Sequence, residues 1–201
     1  MAQQTAIAVH YVFEHNCEVR VLESYSLVHP GEKLHQFPAL LEEGDRTGIY
    51  LRIMPKSSDP WIGFFAQGFD SEEAARGIYS CPDADFLCAV AGGYAYVVDA
   101  SNPQRWKQVE QRPVMEVRAV PELKLLLFSG FTTITALAES QRVWTTERLS
   151  WEGVSIKEIQ GRVLRGTAWD AIADKEVPFE VDLITGGSKG GARPTAGKPS
   201  S

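Results

Sequence analysis

From residue 86 onward the chain repeats itself at a period near forty residues, and this repeat most constrains the fold. Apolar hairpins are predicted around Gly92-Gly93, Gly130 and Gly166, and these marker glycines lie 38 and 36 residues apart. Glycine suits the tight turns that join antiparallel strands. About four short strands in each unit, recurring at such a period, are typical of β-propeller blades or of a β-trefoil.

Two aromatic residues recur with the same spacing. Trp106 and Trp144 lie 38 residues apart, and each follows a predicted hairpin after a polar turn. We expect them to occupy equivalent buried positions in successive units. The last unit ends in an alternating strand in which Val177, Phe179 and Val181 share one face, which is the period of a half-buried strand.

Some of these repeated residues resemble a known family. The stretch 132–137 followed by Trp144, and the segment 181–186, which contains Asp-Leu-Ile-Thr-Gly, are similar to blades of the quinoprotein (PQQ-type) β-propellers. In that family a "thr-ala-leu" strand is followed by Trp, and an "asp-leu-x-thr-gly" motif ends the unit. The resemblance covers residues 86–187 and concerns blade-packing positions. It implies an architecture and brings no cofactor with it.

The first 85 residues show no matching repeat. Alternating apolar residues in 7–13 and 17–27 predict an N-terminal β-hairpin. One or two helical turns, interrupted by Pro38, are expected in 34–43. Asp70 to Gly77 is predicted to form a short helix with early acidic residues and a terminal glycine.

The fold class that follows is mostly β. We predict one globular domain over residues 1–187, with repeat units in 86–187 and one or two short helices. The Gly/Ser/Pro/Lys-rich segment 188–201 is predicted to be a disordered tail. An irregular stack of antiparallel sheets is the favoured architecture; a small closed β-propeller and a β-trefoil are the alternatives.

Charge and composition exclude several classes of partner. The net charge is −6, and the three cations of the predicted tail leave about −9 on the body, which repels nucleic acid and anionic lipid. The sequence contains no run of eighteen apolar residues, so no membrane-spanning helix is predicted. The N-terminal residues lack a signal-peptide pattern, and three cysteines form no even framework, so a cytoplasmic protein with reduced thiols is expected.

The residues that carry chemistry give no catalytic motif. His10, His15, His29 and His35 lack the spacing of a zinc site, and no metal or cofactor is predicted. Cys17, near His15, is the best thiol candidate for a nucleophile. There is no Gly-x-Ser-x-Gly elbow, and the tail departs from a phosphate-binding loop in its glycine spacing.

We therefore predict a non-catalytic protein-interaction or ligand-binding module that uses loops on a β scaffold. Trp61 and Trp151, at predicted loop edges, are the candidate binding residues. Two alternatives stay open: a small enzyme with a pocket near His15 and Cys17, and a subunit of a larger assembly whose sheet edges pair with a partner. The oligomeric state is left open. The loops expected to bind are 101–105, 139–142, 149–153 and 173–178.

Overall fold

A computed structural model of the protein describes residues 7–23, 31–38 and 47–192. Within these ranges the chain is mostly β, as predicted, and its helical elements are two 3₁₀ turns, Pro121–Leu123 and Glu139–Gln141. The strands of these described ranges form four sheets, none of which closes on itself.

The strands of each sheet lie side by side in the following spatial order. Sheet I contains β2 (Cys17–Leu22), β4 (Gly48–Pro55), β5 (Trp61–Ala66) and β3 (Leu34–Phe37). Sheet II contains β1 (Val9–His10), β6 (Gly77–Ser80), β7 (Phe86–Ala91), β8 (Tyr94–Asp99) and β9 (Trp106–Gln108). Sheet III contains β10 (Glu116–Val120), β11 (Leu125–Ser129), β12 (Ile134–Ala138) and β13 (Val143–Thr145). Sheet IV contains β14 (Val154–Gln160), β15 (Val163–Asp170), β16 (Lys175–Asp182) and β17 (Ser188–Gly190).

The sheets stack in the order I, II, III, IV, with one apolar core between each neighbouring pair. Side chains of sheets I and II form the first core, those of II and III the second, and those of III and IV the third. Alternation along a strand supplies both faces of an inner sheet. In β7, Leu87 points towards sheet I and Phe86 towards sheet III, and both are buried.

The predicted repeat is present in sheets II, III and IV. The strands β7, β11 and β15, one in each of these sheets, begin at residues 86, 125 and 163, so the period is 39 and then 38 residues. The second residue of each strand is a fully or almost fully buried leucine that packs towards the preceding sheet: Leu87, Leu126 and Leu164. What recurs from sheet to sheet is therefore the position at which a leucine side chain enters the core.

A polar turn also recurs in two of these units. Asp99 ends β8, and its Oδ1 accepts hydrogen bonds from the backbone N–H groups of Ser101 and Asn102. Asp182 ends β16 and accepts from the backbone N–H groups of Ile184 and Thr185 in the same way. An aspartate that caps its own turn explains why this residue type stands at the end of the strand in both units.

Sheet I is not a fourth copy of this unit. The indole Nε1 of Trp61, at the start of β5, donates to the carbonyl oxygen of Ala100, just after β8, at 2.7 Å. The hydroxyl of Tyr96, in the first half of β8, donates to the carbonyl oxygen of Ala66 at the end of β5. β5 thus runs antiparallel to β8 of sheet II. By contrast, β8 and β12 begin at the same end of the stack.

The prediction of a third hairpin turn at Gly166 is wrong. Gly166 lies in the middle of β15, opposite Ile156 and Phe179, and the turn follows at residues 171–174. A Cβ at Gly166 would lie 2.3 Å from the carbonyl oxygen of Ser155 and 2.5 Å from the Phe179 ring. The glycine is required by this close approach, so it carries no information about a turn.

Two predictions in the N-terminal half are also wrong. The segments 7–13 and 17–27 form no hairpin with each other, because β1 pairs parallel with β6 and β2 pairs with β4. The alternation of apolar residues predicts strands in these segments, but it does not determine which strands they pair with. Residues 70–76 contain a turn and no helix, Gly77 begins β6, and Leu34–Phe37 is the strand β3. Residues 39–43 and 24–27 lie outside the described residues.

The predicted tail begins too early. Ser188–Gly190 forms the edge strand β17, which pairs with β16. Ala192 is buried, and its N–H donates to the carbonyl oxygen of Leu149 at 2.7 Å. Residues 188–192 therefore belong to the folded unit, and residues 193–201 lie outside the described part of the chain.

Candidate binding site

Trp61 is not the exposed contact residue that the sequence predicted. Its side chain is 3 % exposed and belongs to the core between sheets I and II. The ring packs against Phe37 and lies edge-on to His35, with centroids 6.2 and 5.3 Å apart. Because its indole N–H is bonded to Ala100, Trp61 joins the two sheets and has no group left to offer a partner.

Trp151 lies at the surface but is half-buried. The guanidinium of Arg148 lies over its ring at 5.1 Å from the centroid, and within the described residues its buried Nε1 has no hydrogen-bond partner. A second such pair, Arg112 over Tyr94 at 5.8 Å, lies at the same end of the stack, beside the β7–β8 turn. Trp151 therefore stays a candidate contact residue.

The four predicted binding loops do not form one surface. Residues 149–153 and 173–178 lie at the end of the stack that carries the β11–β12 and β15–β16 turns, since the N–H of Gly153 donates to the carbonyl oxygen of Phe131. Residues 101–105 follow β8, residues 139–142 follow β12, and both segments lie at the opposite end. A single partner cannot contact all four loops through one end.

The pocket expected near His15 and Cys17 is not formed as a thiol–imidazole pair. Cys17 is 2 % exposed, and burial raises its pKa to about 11, so the thiol is protonated at neutral pH. His15 instead stacks on Tyr11 with ring centroids 4.0 Å apart. Across the described residues no three His, Cys, Asp or Glu side chains come together as metal ligands would; His29 is outside this part.

The edge strand β13 is the feature that sequence analysis missed. At its two ends the N–H of Ala138 donates to the carbonyl oxygen of Arg142, and the N–H of Thr146 donates to that of Ile134. In an antiparallel pair only alternate residues bond to the partner strand. Trp144 therefore bonds to Ala136. The N–H and C=O groups of the two strand residues flanking it, at 143 and 145, point out of the sheet.

A cleft lies on each side of this edge. The first, of about 410 Å³, opens between sheets II and III and is lined by Lys107, Phe128, Thr135, Leu137, Val143 and Thr145, among others. The second, of about 470 Å³, opens between sheets III and IV and is lined by Leu123, Leu125, Arg142, Trp144, Leu183 and Ile184, among others. Buried core side chains form the floors, and partly exposed ones form the rims.

The rims of the two clefts include apolar side chains that are largely exposed. Val143 is 53 % exposed on the side of sheet II, and Ile184 is 54 % exposed on the side of sheet IV. Trp144 stands half-buried between them and packs on Gly186, where a Cβ would lie 2.7 Å from the ring. Among the described strands none pairs with the outer edge of β13. Two exposed apolar residues beside such an edge are typical of an interaction site.

The first cleft also contains polar groups. The hydroxyls of Thr135 and Thr145 share a hydrogen bond of 2.9 Å across the β12–β13 pair. Lys107 lies on the opposite wall, and its Nζ donates to the carbonyl oxygen of Gln141 at 3.2 Å. Burial lowers the pKa of Lys107. The cleft thus combines an apolar floor with hydroxyl and ammonium donors, which is the usual composition of a binding site.

Comparison with known proteins gives no relative: no family model, curated protein or solved structure matches this chain. Among the described residues no helix is long and apolar enough to cross a membrane. Function must therefore be argued from the site itself.

Proposed function

We propose that the chain is a non-catalytic protein-interaction module that binds an extended polypeptide segment along the free edge of β13. The observation that carries this proposal is the position of that edge between two clefts. The outward N–H and C=O groups at 143 and 145 supply the main-chain hydrogen bonds of an added strand. Binding by strand addition is a common mode of peptide recognition.

The two clefts support a division of the bound side chains into two sets. Successive residues of an extended strand point to opposite faces of the sheet. Alternate side chains of the added strand would therefore enter the cleft beside Lys107 and the cleft beside Trp144. Main-chain bonds supply affinity in this mode, and the two clefts supply sequence preference.

This function fits the architecture that we propose for the repeat. Sheets II, III and IV act as blade-like units, as the resemblance to quinoprotein propellers implies, and their outermost strands β9, β13 and β17 lie at the periphery. Both β9 and β13 belong to sheets with a neighbouring sheet on either side, whereas β17 belongs to sheet IV at the end of the described stack. At β13 the cleft beside Lys107 and the cleft beside Trp144 flank the edge, so an added strand would be enclosed laterally there.

The test begins with a phage-displayed library of random seven-residue peptides. Selection on the full chain should recover peptides that bind, and the strongest is then synthesised and titrated by fluorescence polarisation. Val143→Pro removes the outward N–H and leaves the β12–β13 bonds in place, and Arg142, at φ −66° and ψ 139°, already has the conformation that precedes proline. We expect affinity to fall about tenfold or more.

The matched control is Val143→Ala, which shortens the same side chain but keeps the N–H. Its affinity should stay within about fivefold of the unmodified chain, because main-chain bonds carry this mode of recognition. Chemical denaturation checks that both variants remain folded. Failure to recover any peptide, or equal binding by the proline variant, would exclude strand addition at β13.

A further inference from the structure

The cleft between sheets II and III contains a cation that has no counter-ion within the described residues. Lys107 lies in β9 on the face that points to sheet III, since it pairs with Val97 of the core between II and III. None of the ion pairs formed by the described residues includes it. Its Nζ donates instead to an uncharged acceptor, the carbonyl oxygen of Gln141.

Burial distinguishes this lysine from an ordinary surface charge. An ammonium group that is partly removed from water loses hydration, and one carbonyl acceptor compensates for less of that loss than a hydrogen-bonded anion does. The lowered pKa of Lys107 has this cause. The other charged residue of the cleft, Glu110, is exposed at its rim and forms no ion pair with Lys107.

Hydroxyl groups on the facing wall add a second kind of donor. Thr135 and Thr145 hold a single hydrogen bond between them, so one of the two hydroxyl protons stays free to donate. Thr145 is also one of the two residues with outward backbone groups. A side chain of the added strand that enters this cleft therefore lies between hydroxyl donors and an ammonium donor.

We infer that the segment bound along β13 carries an aspartate or glutamate whose carboxylate enters the cleft between sheets II and III and pairs with Lys107. This inference rests on the proposed function and adds the chemistry of the partner. A carboxylate supplies a further hydrogen-bond acceptor and the opposite charge together. The apolar floor of Phe128 and Leu137 excludes water from the pair and strengthens it.

The experiment uses the peptide recovered from the library of random seven-residue peptides. Recovered sequences should share an acidic residue at one position. That residue is changed to its amide, Asp to Asn or Glu to Gln, and both peptides are titrated against the full chain and against Lys107→Met. On the unmodified chain the amide peptide should bind about tenfold more weakly, as expected for the loss of a charge-assisted hydrogen bond.

The double-mutant cycle decides the assignment. On Lys107→Met the acidic and amide peptides should bind equally, because the partner of the carboxylate is gone. Lys157→Met, which removes the same charge from an exposed position of β14, should leave the tenfold preference intact. Lys107→Met should unfold at an equal or higher denaturant concentration, because it removes a partly buried charge.

The outcomes separate the inference from the function beneath it. Peptides that lose affinity with Val143→Pro but show no acidic preference, or that keep their preference on Lys107→Met, overturn the carboxylate assignment and leave strand addition standing. Recovery of no peptide overturns the proposed function and the inference together. A coupling of about tenfold between the peptide carboxylate and Lys107 supports both.

Discussion

Trp106 occupies the position in sheet II that Val143, and not Trp144, occupies in sheet III. Trp106 is paired with Val98 and Val143 with Leu137, and these partners stand one residue before the end of β8 and β12. Equivalent positions of β9 and β13 are thus 37 residues apart. The two tryptophans are 38 residues apart, so Trp144 lies one residue beyond the position equivalent to Trp106. A shift of one residue moves a side chain to the other face of a sheet.

The two tryptophans consequently differ in their surroundings, and the expectation that they are equivalent is wrong. Trp106 packs in the core between sheets I and II, edge-on to Phe37 with centroids 5.4 Å apart and 6.3 Å from Tyr96. Trp144 packs between sheets III and IV and lines the open cleft.

Replacing these two residues by alanine should therefore give unequal results. Trp106→Ala should lower the free energy of unfolding by about 3 kcal/mol, because it removes the ring contacts with Phe37 and Tyr96 in the core between sheets I and II. Trp144→Ala should cost about 1–2 kcal/mol, since one side of the ring already faces a cleft. Urea denaturation of both variants measures the difference, and equal losses would contradict the assignment of opposite faces.

Gly166 tests whether the chain is packed as closely as the structure shows. Gly166→Ala should cost about 3 kcal/mol, because the new Cβ would collide with the carbonyl oxygen of Ser155 and the ring of Phe179. Gly161→Ala is the matched control: its φ of +56° costs about 1 kcal/mol, but the space around it is open. The two variants can be compared by thermal unfolding, and a Gly166→Ala variant as stable as the control would argue against the close approach.

Residues 188–192 allow a test of the C-terminal boundary. A chain ending at Gly187 loses β17 and the buried Ala192, including its 2.7 Å hydrogen bond to Leu149. We expect the free energy of unfolding of this shortened chain to fall by about 2–3 kcal/mol, because the backbone hydrogen bonds between β16 and β17 are lost and the edge of β16 becomes exposed. A chain ending at Ala192 keeps every described contact and should melt with the full chain. Equal melting of both truncated chains would place β17 outside the stable unit.

The sequence predicted the fold class and its repeat because both depend on local pattern. β16 alternates between buried and exposed residues, β7 and β8 are short apolar runs beside a Gly-Gly turn, and the buried leucines recur with the strands. Pairing is a non-local property, so the parallel contact of β1 with β6 could not be predicted. Glycine was ambiguous for the same reason, since Gly92 marks a turn and Gly166 a close approach.

The candidate site was predictable only in part. Tryptophan beside turn residues favours exposure, which is why the sequence indicates Trp61 and Trp151, but a long-range bond to Ala100 holds Trp61 in the core. The free edge of β13 depends on which residues bond to β12, and a three-residue strand contains no such signal. Lys107 was missed because burial of a lysine depends on the neighbouring sheet.

The cysteines provide a test of burial that depends on pH. Cys17, Cys81 and Cys88 are all free and buried, and burial raises the pKa of each thiol, that of Cys17 to about 11. In the native protein none should react with a thiol reagent such as 5,5′-dithiobis(2-nitrobenzoate) at pH 8, whereas all three should react in denaturant. Rapid reaction of one thiol in the native state would show that its core opens.

The same shifts fix the sign of the response to alkali. A thiol whose folded-state pKa is raised binds its proton more tightly in the folded state, so its contribution is complete below the unfolded-state pKa near 9 and is lost as pH rises towards the folded value. We therefore expect the free energy of unfolding to fall steadily above pH 9. Cys17→Ala removes one titrating thiol and should make the decline between pH 9 and about 11 shallower. Denaturation curves at intervals of half a pH unit measure both slopes, and an unchanged slope in Cys17→Ala would mean that Cys17 is not buried as a neutral thiol.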